Sequence, residues 1–282
     1  MADELDLLPG EAAPEDLDDE PETDGPTGLG VGLLERDLLE IPMDDIEFEG
    51  DRAWLVHPAN PVAASAGILM CHWYSTEEPF GDRDEFLGEA RELAELGATC
   101  LLPQGQFPWR QDPTGTGLDR EMIEAEVARL SRGLDLLAAQ PGVDPGRLAL
   151  VGHDFGAMHG AVLAARDERV RAVVLMAPAA RWADWFIPFW DVQPSRGEYL
   201  SLLEEVDPIN QLASISPRPV LVQLGNQDKF VPVMAPFEFA KPTAGGGKPG
   251  FEVRRYDTSH ELEAPETLDD RLAFLREHLG LG

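Results

Sequence analysis

Cysteine is almost missing from this chain. Only Cys71 and Cys100 are present, each inside an apolar run (GILMC and ATCLLP). Thiols in such settings read as buried, which argues against a disulfide framework or a zinc site. There is also no His-x-x-x-His pair and no cysteine cluster, so no metal and no organic cofactor is expected. Positive charge is scarce: 22 Lys and Arg stand against 53 Asp and Glu, a formal net charge of −31. That balance argues against nucleic acid or an anionic membrane surface as a partner. Residues 1–25 hold many acids, several Pro and Gly, and no Lys or Arg. They are expected to form a disordered, self-repelling tail. A basic stretch followed by an apolar one is lacking at the start, so no signal peptide is expected. The apolar runs are too short to span a bilayer. The expectation is a soluble cytoplasmic protein, its oligomeric state left open.

Apolar material is plentiful: 43% of residues are hydrophobic, with 12 Phe and 6 Trp, enough for a sizeable core. From about residue 44 to 279 the pattern alternates between strand and helix. IEFEGDRAWLVHPA (46–59) predicts an antiparallel hairpin with Glu49-Gly50-Asp51 at its turn. AGILMCHW (66–73), ATCLLP (98–103), RLALVGH (147–153), RAVVLMAP (171–178) and PVLVQLG (219–225) are near-continuous apolar runs, as strands buried on both faces require. FEVRRYD (251–257) supplies a further strand. Helical spacing marks 84–97, 119–140, 155–166 and about 265–279. This order predicts an α/β domain, a mainly parallel sheet with helices on both faces. The excursion from 179 to 217 is too long for a plain connection. It holds Trp182, Trp185, Phe186, Phe189, Trp190 and Tyr199, and predicts a small cap over a site.

The most specific stretch is LALVGHDFGAMHGAVLAA (148–165). A buried strand enters Gly152-His153-Asp154-Phe155-Gly156 and passes directly into a helix. Glycines two before and two after the central residue are what a sharp, strained turn demands, and the helix then aims backbone N–H groups at whatever the central residue holds. Asp154 could instead be a plain helix N-cap, which would not need the flanking glycines. Two further residues occupy telling places: Asp228 after PVLVQLG, and His260 after FEVRRYD. The order nucleophile, acid, histidine fits a triad of Asp154, Asp228 and His260. Asp228 could also be a simple turn residue, with Asp184 or Asp191 of the cap as the acid. His153 is expected to pack beneath the turn, and His57 and His159 to be packing or surface residues.

On these features the chain resembles the α/β-hydrolase superfamily. Its short cap, its Gly225-Asn226-Gln227-Asp228-Lys229-Phe230-Val231-Pro232 segment and its Ser259-His260-Glu261 segment are similar to the dienelactone-hydrolase-like branch. Those relatives carry Cys or Ser at the elbow. The Gly-His-Asp-Phe-Gly turn is instead similar to epoxide hydrolases and haloalkane dehalogenases, whose nucleophile is Asp. The resemblance implies an oxyanion hole from the backbone N–H groups of Phe155 and Trp73, with His72 shaping that loop. Tyr74, Trp182, Trp185 and Tyr199 are expected, with His72, along the substrate pocket.

Chemistry separates the possible roles of Asp154. A carboxylate near its reference pKa of about 4 is ionised at pH 7 and can attack an electrophilic carbon without a base. The product is an alkyl-enzyme ester, against which the histidine activates water. That route suits epoxides and carbon–halogen bonds and suits ordinary esters poorly. Three readings therefore stand: a hydrolase working through an alkyl-aspartyl ester, an esterase or lactonase with Asp154 as general base, and a binding protein that keeps the fold without the chemistry.

Overall fold

The computed structural model of the chain describes residues 41–60, 64–75, 82–190, 192–193, 195–232, 234–240 and 250–282. These fall in one compact unit, Leu39–Gly282. The expected acidic tail at 1–25 and the alternative acid Asp191 lie outside the described residues.

A hairpin opens the unit: β1 (Met43–Phe48) pairs antiparallel with β2 (Asp51–Val56). Its two-residue turn has Glu49 at φ 52° and Gly50 at φ 83°, the left-handed pair that matches the twist of the flanking strands. The remaining strands are β3 (Ser65–Cys71), β4 (Ala98–Pro103), β5 (Val143–His153), β6 (Val170–Met176), β7 (Val220–Gly225) and β8 (Phe251–Tyr256). They complete an eight-stranded sheet ordered β1-β2-β4-β3-β5-β6-β7-β8. All pairings from β4 through β8 are parallel. β3 and β4 are buried along their whole lengths, as their unbroken apolar sequences require, whereas the edge strands β1 and β8 alternate with exposed positions.

Helices cover both faces: α1 (Leu87–Glu95), α2 (Gly117–Ala138), α3 (Phe155–Arg166) and α8 (Pro265–Leu279). Thr116 caps α2 by accepting from the Leu118 N–H, and α8 starts with Pro265 and stops at the left-handed Gly280. The excursion after β6 folds as α4 (Ala183–Phe189), α5 (Arg196–Leu203), a short 3-10 turn and α6 (Pro208–Ile215), while α7 (Ala235–Ala240) follows β7. Both cysteines are free and buried, and desolvation pushes each thiol well above its ordinary range. Among the described residues, no helix is long and apolar enough to cross a membrane.

This topology decides where chemistry can occur. β5 lies at the centre, with Gly152 opposite Cys71 of β3 and His153 opposite Met176 of β6. The strand ends that carry β5 into α3, β7 into the Asp228 loop and β8 into the His260 loop all open at the carboxyl edge of the sheet. In open α/β sheets this is the edge at which ligands bind.

Candidate active site

The turn between β5 and α3 is sterically enforced. A Cβ on Gly152 would lie 2.5 Å from the Gly156 carbonyl oxygen, and one on Gly156 only 2.0 Å from the Cys71 carbonyl oxygen. Only glycine fits either place, because backbone rather than a movable side chain fills the space. Between them Asp154 holds φ 52° and ψ −116°, a strained conformation for a residue with a side chain. Its N–H donates to the Met176 carbonyl and its own carbonyl starts α3 by accepting from Met158. The Asp154 side chain makes no capping bond to the helix, so the N-cap alternative does not describe it.

The two oxygens of Asp154 differ. Oδ2 accepts the Tyr74 backbone N–H at 3.1 Å, whereas Oδ1 is buried with no hydrogen-bond partner among the described residues. The residue is 1% exposed. Burial pushes its pKa up from 3.8 to about 7, partly opposed by His260 and by the Tyr74 and Phe155 N–H groups.

Asp228 and His260 meet as the sequence order suggests. His260 Nδ1 lies 2.8 Å from Asp228 Oδ2, and both side chains are buried. The other carboxylate oxygen of Asp228 accepts the backbone N–H groups of Phe230 and Val231 at 2.8 and 2.9 Å. Burial would raise this carboxyl, but the hydrogen bond from His260 and the two backbone donors leave it below its ordinary value. Such a carboxylate holds an imidazole by Nδ1 and leaves Nε2 for chemistry. Asp184, the other acid considered, is engaged instead by Arg181 at 3.6 Å and Arg196 at 3.5 Å.

The loop after β3 departs from the sequence expectation by one residue. The Trp73 N–H, expected in the oxyanion hole, donates at 2.7 Å to Glu85 Oε2. The N–H that reaches Asp154 is that of Tyr74. His72 shapes this loop: its Nδ1 bonds the Trp73 carbonyl at 2.8 Å, and its Nε2 accepts the Gly105 N–H at 2.8 Å. Trp109 closes the same loop by donating to the Trp73 carbonyl at 3.1 Å.

The aromatic residues divide into two groups. Trp182 and Tyr199 are fully buried and bonded inward, Trp182 to the Val206 carbonyl at 2.7 Å and Tyr199 to Asp119 of α2. They anchor the cap rather than line a cleft, because a buried indole or phenol needs a partner and each finds it in the protein. The second group surrounds His260 and the elbow. Trp73 stacks 6.0 Å from the His260 ring, while Trp185 and Phe230 approach it edge-on at 5.7 and 5.2 Å. Tyr74 packs against Phe155 and Trp190. Glu85, Trp109 and Phe230 were not singled out from the sequence; Phe230 follows Asp228 by two residues, a proximity that could have flagged it, whereas Glu85 carries no such signal.

Known proteins agree with the topology. The family model described as the alpha/beta hydrolase fold matches residues 135–270, from the end of α2 into α8. No curated protein matches the chain in sequence at a significant level. Among solved structures, the α/β hydrolase GrgF from a Penicillium species superposes with a TM-score of 0.59 at 19% identity, over 85% of this chain and 100% of its own. A Klebsiella pneumoniae protein described as a dienelactone hydrolase gives 0.59 at 16% identity, over 85% of this chain and 97% of that one. Dipeptidyl peptidase 4 of Porphyromonas gingivalis gives 0.62 at 16% identity over 85% of this chain, which spans only 35% of that protein. At such identities the structural likeness is one of fold.

Proposed function

We propose that this chain, built on the α/β-hydrolase fold, hydrolyses a small organic substrate through Asp154, His260 and Asp228, by way of an alkyl-aspartyl ester. One observation carries this reading: the division of labour between the Asp154 oxygens. Oδ2 rests on the Tyr74 N–H while Oδ1 has no partner among the described residues, so one oxygen is held and the other is available for attack. Attack by Oδ1 on an sp³ carbon forms a C–O bond as a carbon–halogen bond breaks and halide leaves, or as the carbon–oxygen bond of an epoxide breaks and its oxygen takes a proton from solvent. His260, oriented by Asp228, then takes a proton from water, whose oxygen adds to the carbonyl carbon of the ester. The oxyanion so formed develops on Oδ2, which accepts the Tyr74 N–H, with the Phe155 N–H also bearing on the carboxyl; its collapse breaks the Cγ–Oδ1 bond, and the departing alkoxide takes the proton from His260 as the alcohol. A serine elbow would use the same donors for the substrate's oxygen; here they serve the enzyme's own carboxyl.

A second reading has its own support. A carboxyl with a pKa of about 7 is matched to general-base work at neutral pH, which would suit a lactone or ester substrate. The two readings send solvent oxygen to different places. A panel of epoxides, haloalkanes and short esters identifies an active compound. A single turnover with enzyme in excess in heavy-oxygen water follows. The alkyl-enzyme route puts the label in the peptide containing Asp154, and His260→Gln should let the covalent adduct accumulate for mass measurement. Label found only in the product would replace this reading by the general-base one.

A further inference from the structure

Trp185, on α4 of the cap, is 6% exposed, and its indole Nε1 is buried without a hydrogen-bond partner among the described residues. Trp182, three residues earlier, has its indole N–H satisfied by a carbonyl, so the fold is able to pair such a donor. A buried donor left unpaired in a native protein calls for an explanation, and a ligand atom is one. The surroundings of Trp185 give that ligand a shape. Its ring stands 5.3 Å from Phe155 beside the elbow and 5.7 Å from the His260 ring. It also lies 5.9 Å from Phe230, nearly parallel at 13°, and 4.9 Å from Phe189. Phe189 and Phe230 are themselves 5.9 Å apart and almost half exposed, at 47% and 44%. An aromatic wall therefore runs from the surface to the imidazole of His260. Exposed side chains change rotamer within nanoseconds, and rotation of Phe189 and Phe230 is the motion that a ring entering beside Trp185 needs.

We infer that Trp185, Phe230 and Phe189 form the subsite for an uncharged aromatic group of the substrate, with the Trp185 N–H donating to an acceptor atom beside that ring. This rests on the hydrolase reading of the same site. The aromatic faces fit a ring better than a flexible alkyl chain, because offset and edge-on ring pairs add attraction beyond area burial. Charge narrows the class further. An anionic group would stand among Asp154, Asp228 and Glu85 on a chain of net charge −31. A cationic group suits aromatic faces, but an ammonium only donates hydrogen bonds and would leave the indole N–H unpaired. A neutral acceptor such as an ether, epoxide or carbonyl oxygen meets both conditions.

Equilibrium binding tests this without any turnover, so its result is independent of the fate of the alkyl-enzyme mechanism. The full chain is titrated calorimetrically with acetophenone, ethylbenzene, 2-heptanone, benzoate and benzylamine. Acetophenone should bind at least about tenfold more tightly than each of the others. Trp185→Phe keeps a ring in place and should erase the preference for acetophenone over ethylbenzene, while Phe230→Leu should weaken both aromatic probes. Benzoate or benzylamine binding as tightly as acetophenone overturns the assignment. So does a preference unchanged in Trp185→Phe, or a failure of every probe to bind the unaltered chain, for which no variant need fold.

Discussion

His153 bridges two loops through Glu85: its Nδ1 lies 2.5 Å from Glu85 Oε1, and its Nε2 lies 3.0 Å from the His260 carbonyl oxygen. Glu85 Oε2 meanwhile takes the Trp73 N–H. The pair thus ties the loop after β3 to the loop that carries His260, passing beneath Asp154.

Replacing Glu85 by Ala should therefore strand the Trp73 N–H and His153 Nδ1. A loss of about 2 kcal/mol in urea denaturation is expected, since each unsatisfied buried group costs roughly 1–3 kcal/mol and Glu85 is partly exposed. Glu85→Gln is different. Its oxygen can accept from Trp73 while its amide donates to Nδ1, so it should stay within about 1 kcal/mol of the original chain. Equal losses in both variants would show that the bonds themselves matter little.

Asp154 makes stability and activity respond oppositely to pH. Its folded pKa of about 7 exceeds the ordinary 3.8 of an exposed carboxyl. Between those values the folded chain keeps a proton that the unfolded chain has released, so this group's contribution to stability falls as pH rises through the window. Asn is neutral throughout. The stability of Asp154→Asn relative to the original chain should therefore improve by about 2–3 kcal/mol between pH 5 and pH 8, as measured by denaturant midpoints. Turnover needs the ionised form under either mechanism and should rise with pH through about 7. A stability difference independent of pH would show that Asp154 does not titrate in this range.

The acid of the proposed triad can be assigned by pairing two variants. Asp228→Asn keeps the shape of the side chain but removes the charge that holds His260 Nδ1, and should lower kcat by about 10³–10⁴-fold with an unchanged circular dichroism spectrum. Asp184→Asn weakens the ion pairs to Arg181 and Arg196 and should keep kcat within about threefold. The reverse pattern would move the acid into the cap.

The elbow glycines test the turn itself. Gly156→Ala places a methyl carbon 2.0 Å from the Cys71 carbonyl, where backbone must move. The expected loss is about 3 kcal/mol or more, seen as a lowered thermal midpoint or insoluble protein. Gly88→Ala, where a Cβ meets nothing within 4 Å, serves as the control and should be neutral or slightly stabilising on helix propensity.

By itself the sequence determined whatever depends on near neighbours along the chain. Continuous apolar runs specify strands buried on both faces, and Gly152 and Gly156 specify a turn that no other residue fits. The positions of Asp228 and His260 just after their strands predict that the two will meet, because parallel strands deliver their ends to one edge. The tertiary structure decided the contacts that span long separations and leave no spacing to read. Glu85 and His153 are 68 residues apart, and Tyr199 and Asp119 are 80 apart. Which N–H of the loop after β3 reaches Asp154, that of Trp73 or of Tyr74, depends on Glu85 claiming the first. Which tryptophan of the cap lies against His260 depends on Val206 satisfying Trp182, while the Trp185 indole N–H has no hydrogen-bond partner among the described residues. Each is a competition for hydrogen bonds in a space that exists only after the sheet and cap have closed around it.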